Sequence, residues 1–483
     1  ISLGLVGSEM CIRDSSKGQD SHKAFGTERD TGAIGYEFLL HSTAPVNAPE
    51  EPPTVRIGGP DCRQPYDLSL MNISSMSFGS LSANAVLAMN KGAGMGGFVH
   101  ETGEGGLTKY HRGNGADLFW EIGSGYFGCR NSDGTFNPET FAEKARLPEV
   151  KGITIKMSQG AKPGLGGMLP ASKITPEIAE AREIPIDQDC LSPASHSAFR
   201  TPREMVRFIG QLRELSDGKP IGIKFCVGSR VDVLAMCKAM WEERIAPDFI
   251  IVDGSEGGTG AAPLEYSDHI GTPLTEGLML VHNALVGSGL RDMIKIGAAG
   301  KVATGSDIVK RLIQGADFTM SARAMMMATG CIQAQKCHTN ECPVGVATQD
   351  PRLMKALDVE DKSNRVFNYH RLTVREAVQI MASMGVTDPS QLNTRMLRRR
   401  VDHLNTRSYA SIYRWIRRNE LLNCPPGGWD IDWEEADVDH FGEHAPIEYL
   451  HDANPDWHSE LQPAGVRRAA QSEGGQAVSG SAR

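Results

Sequence analysis

No run of about eighteen apolar residues occurs anywhere in this chain of 483 residues, so no stretch reads as a membrane-spanning helix. Positive charge is short as well. Fifty Lys and Arg stand against 59 Asp and Glu, a net charge of −9, which argues against nucleic acid or an anionic membrane surface as a partner. Aromatics make up only 6%, against 53 glycines and a hydrophobic fraction of 40%, the balance of an α/β protein with many tight loops. A paired secretory cysteine framework is missing. Seven of the ten cysteines (Cys11, Cys62, Cys129, Cys190, Cys226, Cys237, Cys424) are scattered singly, which suits a reducing, cytoplasmic setting. No G-x-G-x-x-G joins an early strand to a helix. Residues 92–97 fit the letters, but they end a helix and precede a strand, the wrong order for a dinucleotide fingerprint.

The opening residues 1–15 (ISLGLVGSEMCIRDS) lack an initiator Met and resemble translated adapter sequence, so they are set aside and the native N-terminus is expected to lie outside the sequence. Residues 16–67 read as an N-terminal arm. From about 68 a repeated beat begins of apolar strand, Gly-rich or polar loop, then helix. Strands are expected near 69–76, 97–100, 117–127, 152–157, 221–227, 248–252, 293–297 and 317–321, with helices at 82–92, 232–243, 273–287 and 305–314. Eight such units imply a closed (β/α)8 barrel over 68–350, with an open doubly wound sheet as the less suitable alternative. Residues 160–200 are too long for a simple connection and read as an active-site insertion. Residues 351–457 read as a helical extension in which the basic run Arg395, Arg398, Arg399, Arg400 is expected on a solvated helix face, and 458–483 as a disordered tail.

In such a barrel the chemistry belongs to the loops after the strands. Residues 76–82 (MSFGSLS) close the first strand with small residues, which suit either a flat ring across the barrel mouth or a helix cap by Ser80 or Ser82. Glu104 stands between Gly103 and Gly105, where the backbone can present one carboxylate to a cavity or to solvent. Lys156 and Lys224 interrupt strands that otherwise read as core, and a buried lysine is rare unless it meets an anion. Lys162 follows in the same loop as Lys156, so a phosphate, a carboxylate or a reduced isoalloxazine is the expected guest. Residues 253–261 (DGSEGGTGA) let amides approach an anion or an aromatic face. Gly300 and 321–323 (SAR) follow the last two strands, where barrels often hold a phosphate.

Cys331, Cys337 and Cys342 are spaced C-x5-C-x4-C, the last followed by Pro343. Three clustered thiolates suit an iron–sulfur cluster lacking one corner iron. A zinc knot completed by His338, or three unrelated core cysteines, are the other readings of that spacing.

Together these segments resemble the FMN-binding synthase domain of glutamate synthase. The matching pieces are 76–82, 102–106, 156–167, 192–196, 253–263, 304–305 and 331–349, the last reading CIQAQKCHTNECPVGVATQ with the family's cysteine spacing and ending. The resemblance implies a (β/α)8 barrel, FMN and a 3Fe-4S cluster. By it, Met76, Ser77, Gly79, Thr102, Lys156, Gln159, Lys224, Asp253, Gly254, Gly258, Thr259, Gly300, Ala322 and Arg323 would contact the flavin. Gln159, Lys162, Arg182 and Glu104 would hold 2-oxoglutarate, with Glu104, Lys156 and Lys162 as the catalytic set. Cys331, Cys337 and Cys342 would ligate the cluster. The implied activity is reductive amination of 2-oxoglutarate, through 2-iminoglutarate, to L-glutamate. Ammonia would come from solution or from a separate glutaminase subunit. Electrons would come from a donor protein, ferredoxin or an NADPH-oxidising subunit, since no dinucleotide-binding domain is read here. Two runs depart from the family: 298–301 (AAGK) replaces an Asp-Gly-Gly, and 194–198 (ASHSA) replaces a Pro- and His-rich run. They leave room for an alternative, an FMN and iron–sulfur oxidoreductase acting on another amine or amino-acid derivative. A non-catalytic electron-transfer subunit would need none of the three cations Lys156, Lys162 and Arg182.

Overall fold

The computed structural model describes residues 11–20, 22, 26–27, 29–267 and 269–442. Eight parallel strands close into a barrel: Met71–Ile73, His100–Glu101, Leu118–Ile122, Val150–Lys156, Ile221–Phe225, Phe249–Asp253, Lys295–Ala299 and Phe318–Ser321. The eighth pairs back onto the first through Thr319↔Met71 and Ser321↔Ile73, which removes every open edge. The fold is therefore a (β/α)8 barrel, with each expected strand within a few residues of its place. The strands read as unbroken apolar runs because helices cover them outside and side chains fill them inside, where Val99, Phe119, Phe249, Ile251 and Phe318 interdigitate.

The end of the arm runs into an antiparallel hairpin, Thr54–Ile57 with Tyr66–Ser69, seated beneath the barrel. Its Ile57 and Leu68 join the interior core, and the Gly59 amide donates to Asp248 Oδ1 at 2.6 Å. Helix starts follow ordinary capping chemistry. Ser82 caps Ala83–Gly96, Thr201 with a following Pro opens Pro202–Leu215, and Thr304 with Asp307 forms a capping box on Gly305–Ile313. Pro138–Ala145 and Pro202–Leu215, the helices before strands four and five, were not legible as separate elements. The 160–200 insertion holds a short antiparallel pair (Met168–Leu169 with Cys190–Leu191), a single 3₁₀ turn (Ala171–Lys173) and the helix Pro176–Arg182.

Beyond the barrel, the long helix Val359–Ser383 packs against Ala83–Gly96. The basic run corrects the expectation of a solvated helix face. Leu397–Arg400 is instead the middle strand of an antiparallel sheet, between Glu37–Leu39 and Thr406–Ser408. Local charge counting cannot see a partner strand that distant in the chain. The tail from 458 lies outside the described residues. Of the first fifteen residues, 11–15 are described, and Ile12 is buried against the barrel's helices. Among the described residues no helix is long and apolar enough to cross a membrane.

Candidate active site

The carboxyl ends of the strands open into a cavity of about 740 Å³, a size suited to a cofactor with its substrate. Register decides what faces it. Lys156 and Lys224 are direct partners on neighbouring strands four and five, so both ammonium groups rise from one level of the barrel. Glu101 ends strand two and Glu121 lies one residue before the end of strand three, beside them. Lys224 Nζ lies 3.1 Å from Glu121 Oε2 and 3.5 Å from Glu101 Oε2, with all three residues buried, and it also donates to Ser75 Oγ. Burial lowers Lys224, but Glu101 and Glu121, helped by Asp253, outweigh it and hold the ammonium well above its usual value. Glu101 is pushed up by burial first, against Lys224, with Glu121 adding to the rise. Asp253 is raised by burial too, while its Oδ2 accepts from the Gly160 amide at 2.8 Å.

On the opposite side, Glu104 Oε2 accepts from Lys156 Nζ at 3.1 Å. Burial pulls Glu104 upward, but Lys156, Arg182 and Lys162 together hold it below the ordinary carboxylate range, so it is an anion at neutral pH. Lys156 moves the other way: its burial cost is outweighed by Glu104 and Glu121. Lys162 Nζ donates to Gly166 O at 2.9 Å, and burial, with Lys156 nearby, lowers its value despite Glu104. Gln159 accepts from Lys156 at 3.4 Å. His196, from the run that departs from the family, holds the end of strand four. Its Nε2 lies 2.8 Å from Lys156 O and its Nδ1 3.0 Å from Tyr126 Oη, and burial keeps it neutral, down to about 4.

Of the residues singled out in the sequence, Met76, Ser77, Glu104, Lys156, Gln159, Lys162, Lys224, Asp253, Gly258, Thr259, Gly300, Ala322, Arg323 and all three cysteines of the cluster line this one cavity. Four stand behind its wall. Gly79 adopts φ +101, closed to most side chains, and its carbonyl accepts from Gln349. Thr102 Oγ1 donates to Gly103 O, and the Gly254 amide donates to Ala299 O. Arg182 is buried, reaching Ser77 Oγ at 3.4 Å and Phe78 O at 3.3 Å, with its guanidinium over the Phe127 ring. It acts on the cavity through Glu104 and Ser77. Ser82 caps its helix, as one reading of the 76–82 segment expects, while Met76, Ser77 and Ser80 face the cavity.

Glu121, Ser75 and Lys173 also line the cavity without having been singled out. For Glu121 the signal was present: it is the one charge in the strand Leu118–Ile122, the same anomaly that marks Lys224. Cys331, Cys337 and Cys342 all line the mouth, unpaired by any disulfide, in a loop where Gln333, Gln335 and Asn340 all have positive φ. Burial raises Cys331 and Cys337, and their neighbouring thiols raise them further. No group of three or more His, Cys, Asp or Glu among the described residues stands placed to hold a metal ion.

The profile described as the conserved region in glutamate synthase matches residues 50–387, which spans the hairpin, the barrel, the cysteine loop and the long helix. The chain belongs to the glutamate synthase family. Within that family it is 42% identical over 336 residues to the glutamate synthase large subunit-like protein YerD of Bacillus subtilis, covering 69% of this chain and 63% of YerD. It is 35% identical over 314 residues to the archaeal-type glutamate synthase [NADPH] of Thermotoga neapolitana, covering 65% of this chain and 59% of that one. The chain thus spans about three fifths of the length of these glutamate synthase relatives. Among solved structures, mandelate oxidase aligns with 83% of the chain, and the chain with 90% of it, at 14% identity and a TM-score of 0.45.

Proposed function

We propose that this chain is the FMN-dependent synthase unit of a glutamate-forming oxidoreductase, aminating 2-oxoglutarate at the barrel mouth. The observation that carries the reading is one cavity holding an ionised Glu104 paired to Lys156, a second buried ammonium in Lys162, and three free thiols at its rim. The name glutamate synthase [NADPH], carried by relatives about a third identical, supports it.

The cavity fits a flavin mononucleotide. At Gly258 a Cβ would come within 3.1 Å of the Arg323 side chain, and at Gly257 within 3.0 Å of Gly254 O, so the loop after strand six is tightly folded where it lines the cavity. Arg323, anchored by Glu256 O at 2.7 Å, offers a cation beside it for a phosphate. Three soft thiolates suit a 3Fe-4S cluster held by Cys331, Cys337 and Cys342. When bound, FMN would supply the hydride for an imine carbon and the cluster would supply electrons one at a time.

The chain's own residues do the rest. Lys156 and Lys162 attract the two carboxylates of 2-oxoglutarate, and Gln159 fixes its orientation. As ammonia adds to the keto carbon, Glu104 takes one proton from the nitrogen and hands it to the new alkoxide, giving the hydroxyl. Lys162, an ammonium made more acidic by burial, gives a second proton to that hydroxyl, which leaves as water, and takes one back from the nitrogen to give 2-iminoglutarate. Hydride at that carbon and a proton at nitrogen complete L-glutamate. Ammonia from solution or a glutaminase subunit, electrons from a ferredoxin or an NADPH-oxidising subunit, and a cytoplasmic setting belong to the same proposal.

The test is anaerobic. Purified chain is reduced, then given 2-oxoglutarate and ammonium while the flavin spectrum and glutamate are followed. Reoxidation with stoichiometric glutamate is expected. A reduced flavin that ignores both substrates sinks the reading and leaves the field to another amine or amino-acid derivative, the direction in which the altered 194–198 and 298–301 runs point.

A further inference from the structure

Lys173 is a buried lysine that pairs with no carboxylate among the described residues. It ends the 3₁₀ turn Ala171–Lys173 inside the insertion and is 2% exposed. Its Nζ donates to Ser80 O at 2.7 Å, Cys337 O at 3.2 Å and Ala347 O at 3.4 Å. Those carbonyls come from the loop after strand one, from the cysteine loop, and from the segment that follows it. Three acceptors around one nitrogen use all three protons of an ammonium, which is the charged form. Carbonyls satisfy its hydrogen bonds but leave its charge unbalanced, and a buried charge without a counter-charge is costly. The groups within its reach that can carry an opposing charge are Cys337 and Cys342, once they are thiolates, while Arg182 acts on it as a like charge.

We infer that Lys173 is the fixed counter-ion of the iron–sulfur cluster, a positioning residue that ties the cysteine loop to the flavin-side loop and biases the cluster toward its reduced state. The inference rests on the cluster reading above. A cluster on three thiolates is anionic and gains one more negative charge on reduction, so a fixed cation beside two of its ligands stabilises the reduced form and raises the midpoint potential. The hydrogen bonds explain why a lysine serves here. A carboxylate would add to the negative charge, and an apolar side chain would leave three carbonyls unsatisfied.

The test compares the anaerobically prepared wild-type chain with Lys173→Gln and Lys173→Arg, reading iron and sulfide content, flavin content and the cluster midpoint by paramagnetic-resonance redox titration. In the Gln variant, either a more negative cluster midpoint or selective loss of iron with flavin retained is expected, while the Arg variant keeps its iron and a midpoint near wild type. A Gln variant with full iron and an unchanged midpoint overturns the inference, as do Gln and Arg variants that lose iron alike. Should the Gln chain not accumulate, wild type labelled with ¹⁵N-lysine decides. A nitrogen coupling to the oxidised cluster spin that vanishes in Lys173→Arg supports the assignment, and no such coupling in wild type overturns it. Wild type that holds no iron at all overturns the cluster reading itself, a result distinct from all of these.

Discussion

Single side chains carry the chemistry, and two of them make opposite predictions about pH. Burial and Lys156 push Lys162 below the ordinary lysine value, so its ammonium is lost earlier as pH rises. If it is the proton donor, kcat should fall on the alkaline side below that ordinary value, and Lys162→Arg, whose guanidinium keeps its proton, should lose both that limb and most of kcat. A pH profile of kcat in both proteins checks this, and coincident alkaline limbs would remove Lys162 from the role. Arg182 works from behind, as one of three cations that keep Glu104 ionised. Arg182→Ala should therefore move Glu104 upward and bring an acid limb into the profile, while the flavin spectrum stays in place. Glu104→Gln should cost about 10²–10⁴-fold in kcat, the usual worth of a positioned acid–base group. Single residues were legible where they broke a pattern. A charge inside an apolar strand exposed Lys156 and Lys224. Lys173 could not be found that way, because its turn is short and its three acceptors come from remote loops.

At the scale of elements, the barrel was readable because each strand is a short apolar run ending in a loop of small residues. What escaped depended on partners far along the chain. The strand Leu397–Arg400 exists only because Glu37–Leu39 lies beside it, and no local period announces that. The letters of a dinucleotide fingerprint at 92–97 have a different use: they let two helices approach. A Cβ on Gly92 would sit 2.8 Å from Ser363 O and 2.8 Å from Val366 Cβ on the long helix Val359–Ser383. Two effects then compete in Gly92→Ala. Helix propensity favours alanine by about 1 kcal/mol, whereas overpacking against a neighbouring backbone costs about 1–3 kcal/mol. The obstacle includes backbone that cannot rotate away, so packing should win, and the variant should unfold at lower temperature or denaturant. An alanine chain as stable as wild type would mean that the two helices separate more easily than their contact implies.

The whole molecule has its own dependence on acid, carried by histidines that fasten its parts. His370 joins the long helix to the barrel, with its Nε2 2.9 Å from Met71 O and its ring stacked on Phe98 at 3.6 Å. His196 joins the insertion to strand four, His282 sits on the helix Leu274–Gly287 against Trp415, and His111 packs against His100 of strand two with ring centres 5.3 Å apart. Burial, the largest cause in each, takes these four down to about 4, from an ordinary value of 6.5. Between those two values the unfolded chain binds protons that the folded chain refuses, so stability rises with pH across the window and is lost as pH falls through it. Each histidine removes up to about 1.4 kcal/mol per pH unit there. Four acting together are large against a domain's net stability of about 5–15 kcal/mol. The melting temperature should therefore hold near neutral pH and drop steeply between about pH 6 and about pH 5, well above the range where Glu104 takes up its proton. Thermal unfolding across that span, read by circular dichroism, checks it. A flat melting temperature down to about pH 5 would show that these rings reach water before the fold gives way.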